Sequence, residues 1–234
     1  MTYWIGTSGY QYPAWRGHFY PEKMPESQML EFYSARFPTV EINYSFYRWP
    51  SEKAIEGWAK GTPENFRVIM KMNRRVTDHM RLKDVGQAVG DFWTRSQLLG
   101  AKRGPILFTL QPWVKKDVEL LKAFLADLPE GFQGAMEFRS SSWADDAVHE
   151  ALAAKNIALC VSEGAEHQTP VVRTADYAYF RLRKEEYSQE QIGEWAKVMR
   201  EWEPACKDIY GFFMHEDLAS GPRFGRMLMD ELGL

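Results

Sequence analysis

A rhythm constrains this chain more than any motif: short apolar runs of strand length alternate with amphipathic segments from one end to the other. The runs fall at residues 3–8, 39–43, 66–71, 105–111, 131–139, 157–162, 177–183 and 208–215. Such runs, separated by helical patterns, read as βα units in which each parallel strand returns through a helix. Eight units are the number that closes a TIM-like (β/α)8 barrel, an α/β fold that commonly reaches about 250 residues undivided. The chain has 234 residues and no Gly/Ser-rich linker or low-complexity tract, which predicts a single barrel domain over residues 1–234. A doubly wound open sheet is the alternative, but no GxGxxG follows the first run.

The intervening segments carry helix punctuation. Ser51 opens SEKAIEGWAK, which Gly61, Thr62 and Pro63 end, and Ser188 and Gln191 have the spacing of a capping box. KDVELLKAFLADLPEG has apolar spacing near the helical period and stops at Pro129 and Gly131. One unit departs from the rhythm. SEGAEHQTPVVRTAD, between runs six and seven, is too polar and interrupted for a regular crossover helix, which predicts a loop or degenerate unit there.

The formal net charge of -3 argues against a broad nucleic-acid or membrane-surface binder, which needs an excess of Lys and Arg. Cys160 and Cys206 are the only cysteines, so no disulfide framework or paired CxxC metal signature exists. With no signal-peptide pattern and no apolar run of spanning length, the expectation is a cytoplasmic protein without a membrane partner.

Chemistry concentrates at the ends of the runs. Residues two apart share a strand face, which pairs Glu41 with Asn43, Ile69 with Lys71, Thr109 with Gln111, Glu137 with Arg139, Tyr179 with Arg181 and Phe213 with His215. Each polar member comes at the C-terminal end of its run. Barrel active sites gather at the C-terminal mouth of the strands, so Glu41, Glu137 and Lys71 become catalytic candidates. Asn43, Gln111, Arg139, Arg181 and His215 become binding candidates. The opposing reading is an ion-pair plug that merely closes the barrel. Lys71, Arg139 and Arg181 outnumber the two carboxylates, an excess that an anion would balance.

The loops above the mouth are aromatic. Tyr12 and Trp15 lie in GYQYPAWRGHFYP, Tyr47 in YSFYRWP, and Trp143 closes MEFRSSSW. Such rings can stack on sugars or bases, or pack long loops onto the scaffold. NRRVTDHMR, after the third run, adds Arg74, Arg75, His79 and Arg81 as groups able to meet phosphates. No HExxH, P-loop or GxSxG is present.

With these residues in view, the chain resembles the YecE-like family, domain of unknown function 72. The matching segments are IGTSGYQYPAWRGHFYP, FPTVEINYSFYRWPS, FRVIMKMNRRVTDH, GPILFTLQP, MEFRSSSW, TADYAYFRLR and GRMLMDELG, spread over the whole chain. The resemblance implies a TIM-like barrel and draws attention to Glu41, Asn43, Tyr47, Lys71, Gln111, Glu137, Arg139 and Trp143; it brings no established reaction. Two stretches depart from the family pattern: Leu182-Arg183-Lys184, where members often have a His-Gly pair, and Met214-His215-Glu216-Asp217, where they often have asparagines.

The leading functional expectation is an enzyme acting on a small anionic or polyhydroxylated ligand, such as a sugar phosphate or sugar acid. Lys71 and Arg139 would hold the anion, Glu41 or Glu137 would transfer a proton, and Asn43 and Gln111 would orient hydroxyls. A Schiff-base role for Lys71 is also open. A protein that binds or cleaves single-stranded nucleic acid ranks below this, as does a non-catalytic metabolite-binding module. No cofactor is expected; oxygen ligands of this kind are compatible with a divalent metal. Oligomeric state leaves no mark on the sequence.

Overall fold

Eight parallel strands wrap into a barrel in the computed structural model, which describes residues 1–164, 168–214 and 219–234. They are β1 (Thr2–Ser8), β2 (Thr39–Ile42), β3 (Arg67–Met70), β4 (Ile106–Leu110), β5 (Gly134–Phe138), β6 (Ala158–Glu163), β7 (Tyr177–Leu182) and β8 (Asp208–Phe213). The sheet runs β3-β2-β1-β8-β7-β6-β5-β4. Its two ends meet: bridges join Val68 to Arg103 and Lys71 to Leu107, and the Met72 N–H donates to the Leu107 carbonyl at 2.7 Å.

The crossovers supply α1 (Glu26–Ser34), α2 (Tyr44–Tyr47), α3 (Glu52–Lys60), α4 (Gly86–Ser96), α5 (Val118–Ala126), α6 (Asp146–Ala154), α7 (Gln189–Trp202) and α8 (Ser220–Leu232). Local chemistry sets several starts. The Ser51 hydroxyl accepts from the Ala54 N–H, Asp117 accepts from the Leu120 N–H, and Ser188 with Gln191 forms the complete capping box. The fifth run becomes strand only at Gly134, three residues later than the pattern predicts. Gly131 sits at φ +69°, and the Phe132 N–H turns back to the Pro129 carbonyl.

The degenerate unit falls where the pattern places it. Among the described residues no helix lies between β6 and β7, and Gln168 pairs antiparallel with Glu163 instead. Threonines take over the backbone of β6: Thr169 accepts from the Ser162 N–H at 2.5 Å and Thr174 from the Leu159 N–H at 2.7 Å. The β5–β6 ladder covers only Ala135↔Ala158 and Met136↔Leu159, so polar side chains fill the seam above it.

Strand alternation produces two apolar layers. Outward residues such as Ile5, Val40, Phe108, Met136 and Phe180 pack with the helices, and inward residues including Trp4, Ile69, Leu107, Tyr179 and Tyr210 fill the barrel. Each fully buried large aliphatic or aromatic side chain contributes about 1.5–3 kcal/mol. Near the N-terminal end, Trp4 donates to Asp208 at 2.8 Å and Arg67 lies 4.4 Å above its ring, closing the floor. Among the described residues no helix is long and apolar enough to cross a membrane.

Candidate active site at the barrel mouth

Above the aromatic floor the inward positions turn polar. Ser8, Glu41, Lys71, Thr109, Glu137, Ser162 and Arg181 are all buried, at the C-terminal ends of seven strands or one residue beyond. Charges placed this deep are stable only when paired, and the pairing here is dense.

Arg181 ties the two carboxylates together. Its Nη1 donates to Glu137 Oε2 at 2.5 Å and its Nη2 to Glu41 Oε1 at 2.7 Å. Glu41 also accepts from the Ser8 hydroxyl and, at 2.8 Å, from the Tyr179 phenol. Glu137 accepts from Thr109 at 2.8 Å and Ser162 at 3.2 Å, and pairs with Arg183 at 2.7 Å. Arg139 Nε stands 3.8 Å from Glu137. Burial alone would favour the neutral acid, but Arg181, Arg183, Arg139 and Lys71 outweigh it and hold the Glu137 carboxyl well below the usual range. Glu137 is therefore a fixed negative charge with its oxygens fully engaged, a poor proton donor.

Lys71 is the exception. Its ammonium has no hydrogen bond or ion-pair partner among the described residues and lies 4.2 Å above the Phe46 ring. Burial, and next the Arg181 charge, push its pKa down to about 8, while Glu137 and Glu41 pull the other way. The cluster thus combines two carboxylates with Lys71, Arg139, Arg181 and Arg183. Three of its donors, the Nε–H groups of Arg139, Arg181 and Arg183, are buried without a hydrogen-bond acceptor among the described residues.

The remaining candidates divide by position. Asn43 donates to Ser8 at 3.1 Å, and Gln111 accepts from Arg139 at 3.3 Å, so both amides border the cluster. The Tyr12 phenol donates to the Ser8 carbonyl at 2.7 Å. Tyr47 is 63% exposed, with Arg74 5.8 Å from its ring, and so lies on the outer surface of the mouth. Trp15 and Trp143 are packing residues. Trp15 is fully buried against Tyr12, Phe19 and Tyr20, and Trp143 stacks on Phe138 at 4.5 Å while its indole N–H donates to the Val114 carbonyl. On β8 the expected face is reversed: Phe213 packs outward against Tyr187 and Phe224, and Met214, whose sulfur is 3.9 Å from Arg181 Nη2, turns inward. His215, Glu216 and Asp217 lie outside the described residues.

Several members of the cluster have little sequence signal. Ser8 and Ser162 are short hydroxyl residues that become visible only as the last inward position of their strands. Arg183 and Lys184, which depart from the family pattern, each reach an acid: Arg183 pairs with Glu137, and Lys184 with Glu163 at 2.6 Å. A cavity of about 350 Å³, lined by Tyr10, Gln11, Tyr12, Asn43, Tyr44 and Trp58 among others, borders the cluster at Asn43. Among the described residues, no three His, Cys, Asp or Glu side chains converge in a way that could hold a metal ion.

The chain is similar to known proteins in sequence and in fold. YunF of Bacillus subtilis (strain 168), a UPF0759 protein, is 25% identical over an alignment 280 residues long that covers 99% of this chain and 95% of its own. A DUF72 family protein of Thermotoga maritima MSB8 superposes with a TM-score of 0.90, 25% identity and complete coverage of both chains. A DUF72 family protein of Enterococcus faecalis V583 shares the fold at a TM-score of 0.84 and 14% identity, over 100% of this chain and 96% of its own. The family model described as "Protein of unknown function DUF72" matches residues 4–234. A match of that extent, on a barrel of the same architecture, makes this chain a member of the DUF72 family.

Proposed function

We propose that the barrel mouth binds a small anionic metabolite, carrying a carboxylate or phosphate, and that the protein acts on it as an enzyme with Lys71 as the reactive group. The observation that carries this reading is the buried Lys71 amine, without a hydrogen-bond or ion-pair partner among the described residues, beside a cluster in which cations outnumber carboxylates. Two unit charges about 4 Å apart interact by roughly 4 kcal/mol at an effective dielectric near 20, enough to draw an anion into such a site. Glu41 and Glu137 hold Arg181 in place. Asn43 and Gln111 stand where they can orient hydroxyls of a polyhydroxylated ligand such as a sugar phosphate or sugar acid.

Anion binding should favour protonated Lys71, so affinity falls as pH rises through about 8. Thermal unfolding with phosphate, sulfate and small hydroxy acids tests the reading in the parent chain, Lys71→Met and Arg139→Ala. A ligand present at 100 times its dissociation constant adds about 2.7 kcal/mol of stability. The expected result is stabilisation of the parent that both variants lose. Equal stabilisation of all three proteins would place the anion elsewhere.

A further inference from the structure

Lys71 differs from the other cations of the mouth in what surrounds it. Arg181 and Arg183 are fixed by carboxylates, and Arg139 leans on Gln111. The Lys71 side chain instead packs on Phe46 with only 6% of the residue exposed. Its backbone is pinned on both sides. Its carbonyl accepts from the Ser45 hydroxyl at 2.7 Å, and its N–H donates to the Ile42 carbonyl at 3.3 Å. The amine is therefore carried on a rigid strand end and faces Arg181, Glu137, Glu41 and Arg139.

A lysine serving only as a charge clamp gains little from this burial, because desolvation and the Arg181 charge weaken its ammonium more than the face of the Phe46 ring supports it. A nucleophilic lysine gains a great deal, because only the neutral amine attacks. Burial and the neighbouring Arg181 bring its pKa to about 8, so about one amine in ten is neutral at pH 7, against about one in 2,500 for an ordinary lysine near 10.4. Desolvation beside a second cation is the environment that activates imine-forming lysines. The two carboxylates offer no competing reactive group, since their oxygens are engaged by Arg181, Arg183, Tyr179 and hydroxyls.

We infer that Lys71 forms an imine with a small aldehyde or ketone that also bears a carboxylate or phosphate, the anionic end resting against Arg139. This rests on the anion-binding reading of the mouth and goes further in naming the substrate as a carbonyl compound. The Lys71 Nζ lone pair adds to the carbonyl carbon while the C=O π pair moves to oxygen. One nitrogen proton passes to that oxygen, giving a carbinolamine. The hydroxyl then leaves with the second nitrogen proton as water, and the nitrogen lone pair closes the C=N bond. Amine plus carbonyl becomes imine plus water, with no change in oxidation level.

Trapping tests this on the intact chain. The protein is incubated at about pH 7 with pyruvate, a small 2-oxo acid, and cyanoborohydride, and the reduced adducts are mapped by peptide mass spectrometry. Acetone serves as the uncharged counterpart and added phosphate as competitor. Exposed Lys53 and Lys155 give the background rate. The expected result is labelling of Lys71 about two hundred-fold faster than that background, following the ratio of neutral amines. It should be suppressed by phosphate and at least about ten-fold slower with acetone or in Arg139→Ala, as loss of one ion contact of about 1.4 kcal/mol requires. Labelling of Lys71 no faster than Lys155 overturns the inference. If phosphate then still stabilises the parent chain but not Arg139→Ala, imine formation falls and the anion site stands. If phosphate stabilises neither, both fall.

Discussion

Two residues with similar burial carry opposite electrostatic assignments. Glu137 is held ionised by its cations after overcoming its own desolvation, whereas Lys71 is pushed toward neutrality by burial and by Arg181. Removing the charge of Glu137 while keeping its shape leaves Arg181 and Arg183 undercompensated, so Glu137→Gln should cost about 3–5 kcal/mol in urea denaturation. The pH dependence has a definite sign. An unfolded glutamate titrates near about 4.3 and the folded one well below, so its contribution is complete above the unfolded value. It is lost as pH falls below that value toward the folded one. The variant should therefore lose acid sensitivity in the range about pH 4 and below; an acid profile identical to the parent's would contradict the assignment. At this scale the sequence is partly legible. A period of two puts Glu41, Lys71, Glu137 and Arg181 on the inner face, but which atoms meet depends on strand stagger, which no local pattern encodes. Trp15 and Trp143 show the same limit, since an aromatic ring on a loop reads alike whether it faces a ligand or the core.

At the scale of elements, the described residues between β6 and β7 hold no helix and have a specific replacement for one. The Thr169 hydroxyl accepts from the Ser162 N–H and donates to nearby β6 carbonyls, and so fixes the strand that aims Ser162 at Glu137. Thr169→Val keeps the shape and removes the acceptor, leaving a buried N–H unsatisfied at a cost of about 1–3 kcal/mol. Hydrogen exchange should show the Ser162 amide losing protection in that variant; unchanged protection would mean the segment does not hold β6. Polar composition marks SEGAEHQTPVVRTAD as no ordinary crossover, while the threonine contacts that replace the helix appear only when β6 and the segment are brought side by side. The fifth run shows why boundaries are less legible than elements. Apolarity extends back to Phe132, but Gly131 and the turn to Pro129 delay the strand.

Across the whole molecule the barrel is graded from an aromatic floor of Trp4, Tyr177 and Tyr210 to a charged mouth. The eight-unit architecture is legible because each strand needs only its own alternation and bounding turns. Closure between β3 and β4, and the short β5–β6 ladder, depend on register across the sheet and are not. Apolar burial between sheet and helices stabilises the scaffold, which lets the mouth hold a desolvated lysine whose neutralisation, from about pH 8 upward, should raise folding stability rather than lower it. The proposed chemistry depends on that amine. Its titration in the full chain, followed by the NMR shift of the Lys71 ε-carbon and assigned with Lys71→Arg, is the most direct test. The expected midpoint is near about 8 and moves upward when phosphate is added, because a bound anion favours the charged form. A midpoint at the ordinary lysine value of about 10.4, unmoved by phosphate, would contradict both the reactive amine and the anion beside it.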